Sequence, residues 1–376
     1  MLNKIPSPCY VLEEVLLRKN LELIADVQQR AGVSIILALK GFSMWKTFPF
    51  VKKYLSGATA SSLNEARLVY EEMGCKAHTY AVAYMPSEFE EMLTYSSHLV
   101  FNSVAQYAFF RPQIEAHSEK VSCGIRVNPE YSEVETELYN PAAPGSRLGE
   151  VDDKFKDGLP AGIEGLHFHT LCESTSYELE KTLTILENKF GHLFPHLKWV
   201  NMGGGHLMTK KGYDTDHLVK ILTDFRKKHK VEILLEPGSA IAWETGDLHS
   251  QVMDIHESRG IKTAILNMSF TAHTPDCLEM PYRPKVVGAT DPIEDKPTYR
   301  LGGVSCLAGD YLTEYSFEKP LNIGDPIVFK DMIHYTLVKT TMFNGVKHPS
   351  IAILRENGEL EIMKAFGYTD YKGRMD

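Results

Sequence analysis

Lys40 closes the apolar run Ile35–Leu39. An ammonium carried on so apolar a segment is partly desolvated, which lowers its pKa and leaves a free amine able to form an imine with an aldehyde. The same placement suits a strand-end lysine whose stem covers apolar surface while its head reaches water. Gly203-Gly204-Gly205 follows a second apolar run. Without Cβ atoms that backbone can approach a phosphate and aim N–H groups at it, or simply make a tight turn. Glu236, in LLEPG, ends a third run. Its carboxylate either sits in solvent or keeps a heteroaromatic nitrogen protonated. His167 and His169 are two apart, so on a strand they face one side. They can stack on an aromatic ring, bind a metal or serve as ordinary core histidines, and His169 is the better cofactor candidate. Together, an amine, a phosphate cradle, a ring platform and a nitrogen partner make up a site for pyridoxal 5′-phosphate.

Such groups must converge, and the elements that carry them say how. From about residue 30 the sequence alternates short β-branched runs with longer amphipathic stretches, the pattern of βα units around a parallel sheet. Eight runs stand out: 34–40, 57–61, 77–82, 98–102, 122–128, 163–169, 197–203 and 231–238. Eight strands in this order predict a closed (β/α)8 barrel, whose active site collects at the C-terminal strand ends. Lys40 ends the first run, Arg126 and Asn128 the fifth, the two histidines the sixth, the glycines the seventh and Glu236 the eighth.

After Gly238 the texture changes to strand-like runs with little room for helices: IKTAILNMSF, RPKVVGA, YRLGGVSC, DPIVFKDM and YTLVKTTMFNG. Asn357-Gly358 between alternating apolar residues marks a hairpin. The opening PSPCYVLEE is also strand-like and is expected to join this second, all-β domain. The expected division is 1–25 for the N-terminal strand and helix, 26–238 for the cofactor-binding barrel and 239–376 for the β domain.

Composition narrows the function classes. With 376 residues, 43% hydrophobic and 24% charged, the chain is globular rather than disordered or fibrous. A formal net charge of −9 disfavours nucleic acid and anionic lipid as partners and suits a cationic substrate. The N-terminus has no uninterrupted apolar stretch of the secretory kind. Six cysteines without a CxxC pair argue against a disulfide framework or structural zinc. A cytosolic enzyme is expected, with neither membrane nor metal.

The segments ALKGFSMWKTFP, GATASSLNEAR, GLHFHTLCES and NMGGGH resemble the fold-type III, alanine-racemase-like decarboxylases, the family of ornithine and diaminopimelate decarboxylases. The resemblance covers nearly the whole chain. Within the family it is greatest to the carboxynorspermidine/carboxyspermidine decarboxylase group of polyamine and spermidine biosynthesis, and this, not spacing, names the substrate. It implies that Lys40 holds the cofactor, His169 stacks on its ring, Gly204 and Gly205 bind its phosphate, Glu236 meets its pyridine nitrogen and Arg126 lies near its phenolic oxygen. GGVSCLAGDYL resembles the segment that sends a cysteine into a partner subunit's site. This implies a homodimer with composite sites, with Cys306 handling a proton and Asp310 touching substrate. DMIHYT implies that Tyr335 reaches the phosphate. Asp276 is near the position that binds the substrate's distal amine. Ser239 stands where many relatives place an arginine, which weakens a diaminopimelate reading and leaves Ser239 as a substrate contact. Cys172 and Glu173 replace a small Gly-Ser segment, and Thr59 stands near a family aspartate.

Other readings are a decarboxylase for diaminopimelate or another basic amino acid, and a metal-dependent barrel hydrolase using His167, His169, Glu236 and the lysine. A non-catalytic relative that binds the cofactor without turnover is a further one. The hydrolase leaves the glycine triplet and Cys306 idle, and the presence of Lys40 with Cys306 speaks against the last.

Overall fold

The run 34–38 changes partners midway, and that change closes a barrel. In the computed structural model, which describes residues 5–280 and 282–376, Ser34–Ile35 pairs in parallel with Glu232–Leu235, while Leu37–Ala38 pairs in parallel with Ala58–Ala60. At the switch the Ile36 N–H donates to the Leu235 carbonyl (2.9 Å) and the Leu37 N–H to the Gly57 carbonyl (3.0 Å). Ala77–Tyr80, Ser96–Phe101, Ser122–Arg126, Ile163–His167 and Trp199–Asn201 complete the parallel sheet in sequence order. Residues 1–4, part of the stretch read for a secretory signal, and Pro281 lie outside the described residues.

The barrel interior is a packed core, as expected for eight strands. Ile36, Val100, Trp199 and Leu234 form it, with Tyr80 packed against them. Trp199 fits because Gly124 and Gly165 face it. A Cβ on Gly165 would stand 2.1 Å from the indole, and one on Gly124 2.3 Å. The indole N–H donates to Ser122 Oγ (2.9 Å), which satisfies its one polar atom. Beside it His78 and His98 stack with ring centroids 3.8 Å apart.

The chain forms two compact units: Asn20–Ile241, which holds the barrel, and a second made of residues up to Lys19 with Ala242–Asp376. The first boundary falls inside helix Glu14–Ala31, slightly before the expected residue 25, and the second just after the expected residue 238. In the second unit Cys9–Glu13 lies antiparallel to Gly246–Ser258 and parallel to Ser350–Leu354, so the N-terminal strand joins the β domain. Cys9, Val11 and Ala352 form its apolar seam. The hairpin at Asn357-Gly358 is present, pairing Ser350–Leu354 with Leu360–Lys364.

Three expectations for this unit are corrected. YTLVKTTMFNG is no strand: it runs as successive turns into the short 3-10 helix Phe343–Gly345. In RPKVVGA only Ala289 enters a strand, Ala289–Thr290, with a single bridge from Val286 to Phe329. The longest strand, Gly246–Ser258, and the strand Tyr311–Phe317 were not anticipated. Their polar residues alternate with buried ones and break up any apolar run. Among the described residues no helix is long and apolar enough to cross a membrane.

Candidate active site

The C-terminal strand ends of the barrel bring Lys40, Arg126, His167, His169 and Glu236 around one cavity of about 320 Å3, part of it open to solvent. Each reaches it because its strand ends there. Arg126 and His167 are the last residues of their strands, Glu236 follows its strand directly, and Lys40 lies two residues past the end of Leu37–Ala38. Asn128, also expected at the mouth, turns to its own loop instead, its Oδ1 accepting the Glu130 N–H (2.8 Å).

Lys40 and Glu236 set the electrostatics. Lys40 keeps an open path to solvent through the mouth, yet the protein crowded around it lowers its pKa. Glu236 pulls the other way, and Arg126 adds to the lowering. Glu236 is buried and burial raises its carboxyl, against the opposing influence of Asn201, Lys40, Thr59 and Arg126. One of its oxygens accepts the Asn201 amide (2.6 Å). The other is 3.8 Å from His167 Nε2. Among the described residues no lysine or arginine comes within ion-pair distance of it, so this carboxylate is held in place without a cation of its own. Arg126 is fixed by donating to the His169 carbonyl (3.2 Å) and by lying 4.8 Å from the Tyr80 ring centre.

Two N–H groups of the glycine triplet are engaged within the protein. Gly203 donates its N–H to Asn201 Oδ1 (2.9 Å), and Gly204 donates to His169 Nδ1 (2.9 Å). His169 therefore accepts at Nδ1 and carries its proton at Nε2. Burial, then Lys40 and Arg126, hold its pKa well below the ordinary value, so the ring is neutral. The triplet must be glycine because strand ends crowd it: a Cβ on Gly204 would lie 2.5 Å from the Glu236 carbonyl, and one on Gly205 2.2 Å from that of Leu171. Of its three N–H groups, only that of Gly205 has no partner among the described residues. Glu173 takes a positive φ of 48°, retaining the tight backbone where the resemblance expects small residues.

Tyr80 and Asn201 are site residues that the sequence reading passed over. Each is the last residue of its strand but lies inside the runs 77–82 and 197–203 read from the sequence, so the strand-end signal did not single it out. Tyr80 lines the cavity and meets the His167 ring edge-on at 5.2 Å. Thr59 lines it too. Ser239 is half-buried in the first turn of the short helix Ser239–Ala242, outside the lining residues.

The remaining candidates belong to the β unit. Asp276 is buried, its Oδ2 accepting from Thr336 (2.7 Å) and Tyr282 (3.0 Å), while its Oδ1 is buried with no partner among the described residues. Asp310 is engaged on both oxygens: Oδ1 accepts from Ser269 Oγ (3.1 Å) and the Thr271 N–H (3.0 Å), Oδ2 from the Ser305 N–H (3.0 Å). It shapes its own loop. Cys306 is exposed on that loop. Tyr335 is half-buried in the turns after Asp331.

The barrel residues fit pyridoxal phosphate by the chemistry of their donor set. A desolvated amine can take the aldehyde carbon, an anchored carboxylate without a cation can take a ring N–H, and a neutral imidazole locked by Gly204 can lie flat on a ring. Among the described residues no group of three or more His, Cys, Asp or Glu is arranged to hold a metal ion.

Comparison with known proteins points the same way. The family model described as pyridoxal-dependent decarboxylase, C-terminal sheet domain, matches residues 9–333. Carboxyaminopropylagmatine decarboxylase of Synechocystis sp. is 49% identical over 375 residues, covering 100% of this chain and 96% of that protein. Carboxynorspermidine/carboxyspermidine decarboxylase of Campylobacter jejuni is 44% identical, covering 99% of each. The crystal structure of carboxynorspermidine decarboxylase from Campylobacter jejuni, complexed with norspermidine, superposes with a TM-score of 0.90 at 42% identity, over 98% of this chain and 100% of that one. Diaminopimelate decarboxylase of Helicobacter pylori, complexed with L-lysine, shares the fold at a TM-score of 0.82 with 16% identity, over 100% of this chain and 98% of that one.

Proposed function

The chain belongs to the pyridoxal-dependent decarboxylases, and on that footing we propose that it removes the α-carboxylate of carboxynorspermidine, carboxyspermidine or both, releasing carbon dioxide and norspermidine or spermidine. The observation that carries the reaction class is Lys40 facing a buried, anchored Glu236 across one cavity. The substrate class is supported by full-length likeness to the Campylobacter jejuni enzyme. The unpartnered buried oxygen of Asp276 adds to it, since a carboxylate left that way calls for a cation.

Bound pyridoxal phosphate supplies the ring that accepts the electron pair left by departing carbon dioxide. Lys40 would hold its aldehyde carbon, Glu236, fixed by Asn201, would keep its ring nitrogen protonated, His169 would serve as the platform for the ring, and Arg126 would serve its phenolic oxygen. The Gly205 N–H and Tyr335 would take the phosphate, with Gly204 shaping the cradle while its own N–H stays on His169 Nδ1. Asp276 and Ser239 meet the substrate, Asp276 at its distal cation. Asp310 would touch substrate as well as shape the Cys306 loop, since each carboxylate oxygen can accept more than one hydrogen bond. Cys306 or Lys40 would supply the proton that replaces the departing carboxylate. In this reading Cys306 enters the site of a second copy, making a homodimer, and its exposure supports that. Six free cysteines support a cytosolic setting.

A second reading has a specific observation behind it: the Synechocystis relative is named for carboxyaminopropylagmatine, whose distal group is a guanidinium rather than an ammonium. Release of carbon dioxide from carboxynorspermidine, carboxyspermidine, carboxyaminopropylagmatine, ornithine, arginine and diaminopimelate separates the readings. Wild type is run beside Lys40→Ala and Cys306→Ala. Both carboxylated triamines are expected to react, because one methylene is worth only about 1–3 kcal/mol of discrimination. Turnover confined to carboxyaminopropylagmatine or to diaminopimelate overturns the substrate assignment, and full activity of Lys40→Ala overturns the site.

A further inference from the structure

We infer that Asn344 is a positioning residue for Cys306, setting the direction of the thiol by holding the backbone N–H of the same residue. The inference rests on the proposed role of Cys306.

The loop from Gly303 to Asp310 is fastened both from within and by segments distant along the chain. Gly303 N–H donates to the Asp310 carbonyl (2.7 Å), Val304 N–H to that of Met268 (3.0 Å), and Asp310 N–H to that of Leu307 (3.0 Å). Ser305 N–H donates to Asp310 Oδ2 (3.0 Å). Cys306 is tied to a further segment. Its N–H donates to Asn344 Oδ1 (2.8 Å), 38 residues along the chain. Its thiol is exposed and has no hydrogen-bond partner among the described residues. Asp310 therefore holds the peptide that enters Ser305 and Asn344 the peptide between Ser305 and Cys306, so two successive peptide planes leading into Cys306 are fixed and limit where its Cα–Cβ bond can point.

The backbone of Asn344 explains why the acceptor comes from asparagine. It lies at φ 56° and ψ 14°, inside the turn Phe343–Gly345. Residues with a Cβ seldom adopt that region, where glycine is the unstrained choice and asparagine the best tolerated of the rest. Glycine would satisfy the turn but offer no acceptor. Asparagine satisfies both needs. A residue serving the turn alone could be replaced by glycine without loss, and this separates the two roles experimentally.

The test is a double-mutant cycle on the holoenzyme, reading kcat and KM for carbon dioxide release from the preferred substrate of the panel. Asn344→Gly keeps the turn and removes the acceptor. It is expected to lower kcat roughly ten- to a hundredfold, as misplacement of a reacting group does, with KM unchanged. Asn344→Asp, which keeps an acceptor, is expected to recover most of the loss. With Cys306→Ala in place, Asn344→Gly is expected to cost nothing further. Wild-type kcat in Asn344→Gly, or losses that multiply in the double variant, overturns the inference. If Asn344→Gly does not yield folded holoenzyme, Asn344→Ser, with a shorter and displaced acceptor, takes its place in the same cycle with the same deciding outcomes. Unaltered kcat in Cys306→Ala alone would instead strike the proposed role of Cys306, so the two failures are told apart.

Discussion

Glu236 is a buried carboxylate anchored on one side by Asn201 and left without a cation on the other. Burial raises its carboxyl, so an acid this deep is costly to ionise until a positive partner arrives. A protonated ring nitrogen is such a partner, and a neutral amide is not. Glu236→Gln keeps the shape and a contact to Asn201 while removing the charge. It is expected to cut kcat by about 10²–10³, the loss typical of one electrostatic stabiliser, with native circular dichroism. Activity within twofold of wild type would show that the ring nitrogen needs no partner here. Lys40, Arg126, His169 and Glu236 were all visible as polar residues ending apolar runs. What the sequence could not show is which of their atoms are already committed. The Gly204 N–H, expected on a phosphate, goes to His169 Nδ1, because that ring and that peptide meet only when two strand ends do.

At the scale of elements, the barrel depends on one large ring against two glycines. The Trp199 indole occupies the space that side chains at Gly124 and Gly165 would need. Adding a methyl at Gly165 forces the ring or a strand to move, and overpacking of this kind costs about 1–3 kcal/mol, occasionally more. Gly165→Ala is therefore expected to lower the midpoint of urea unfolding with little change in slope. Gly191→Ala, where a Cβ meets nothing within 4 Å and φ is −58°, is expected to leave it unchanged or raise it. Equal midpoints for the two variants would dismiss the account. The barrel strands were legible because parallel strands buried on both faces read as continuous apolar runs. Gly246–Ser258 escaped notice because its buried positions alternate with exposed ones, and YTLVKTTMFNG misled because apolar residues can also fill a series of turns.

Across the whole molecule, buried neutral histidines make stability depend on acid. His206 in the barrel unit and His273 in the β unit are almost fully buried, and burial chiefly lowers both pKa values to about 4. In the unfolded chain a histidine titrates near about 6.5. Between these values the unfolded state binds the extra protons, so the stability due to each neutral ring is fully present above about pH 6.5 and is lost as pH falls toward 4. The loss is on the order of 3 kcal/mol for each ring once pH is below both values. Calorimetric Tm is expected to begin falling between pH 6.5 and 5, above the range of ordinary carboxylates. A flat Tm down to pH 5 would count against neutral burial of these rings.

The sequence by itself determined the order of the barrel strands, the residues that end them, the hairpin at Asn357-Gly358 and the strand-like N-terminus, because these follow from local alternation of apolar runs and turn residues. Tertiary structure alone decided the rest. Ser34–Ala38 switches partners only when strand eight comes round to meet it. Asp310 is bound by Ser269, Thr271 and Ser305 only once those segments fold together. The Cys306 N–H finds Asn344 across 38 residues, a distance over which no local pattern reaches.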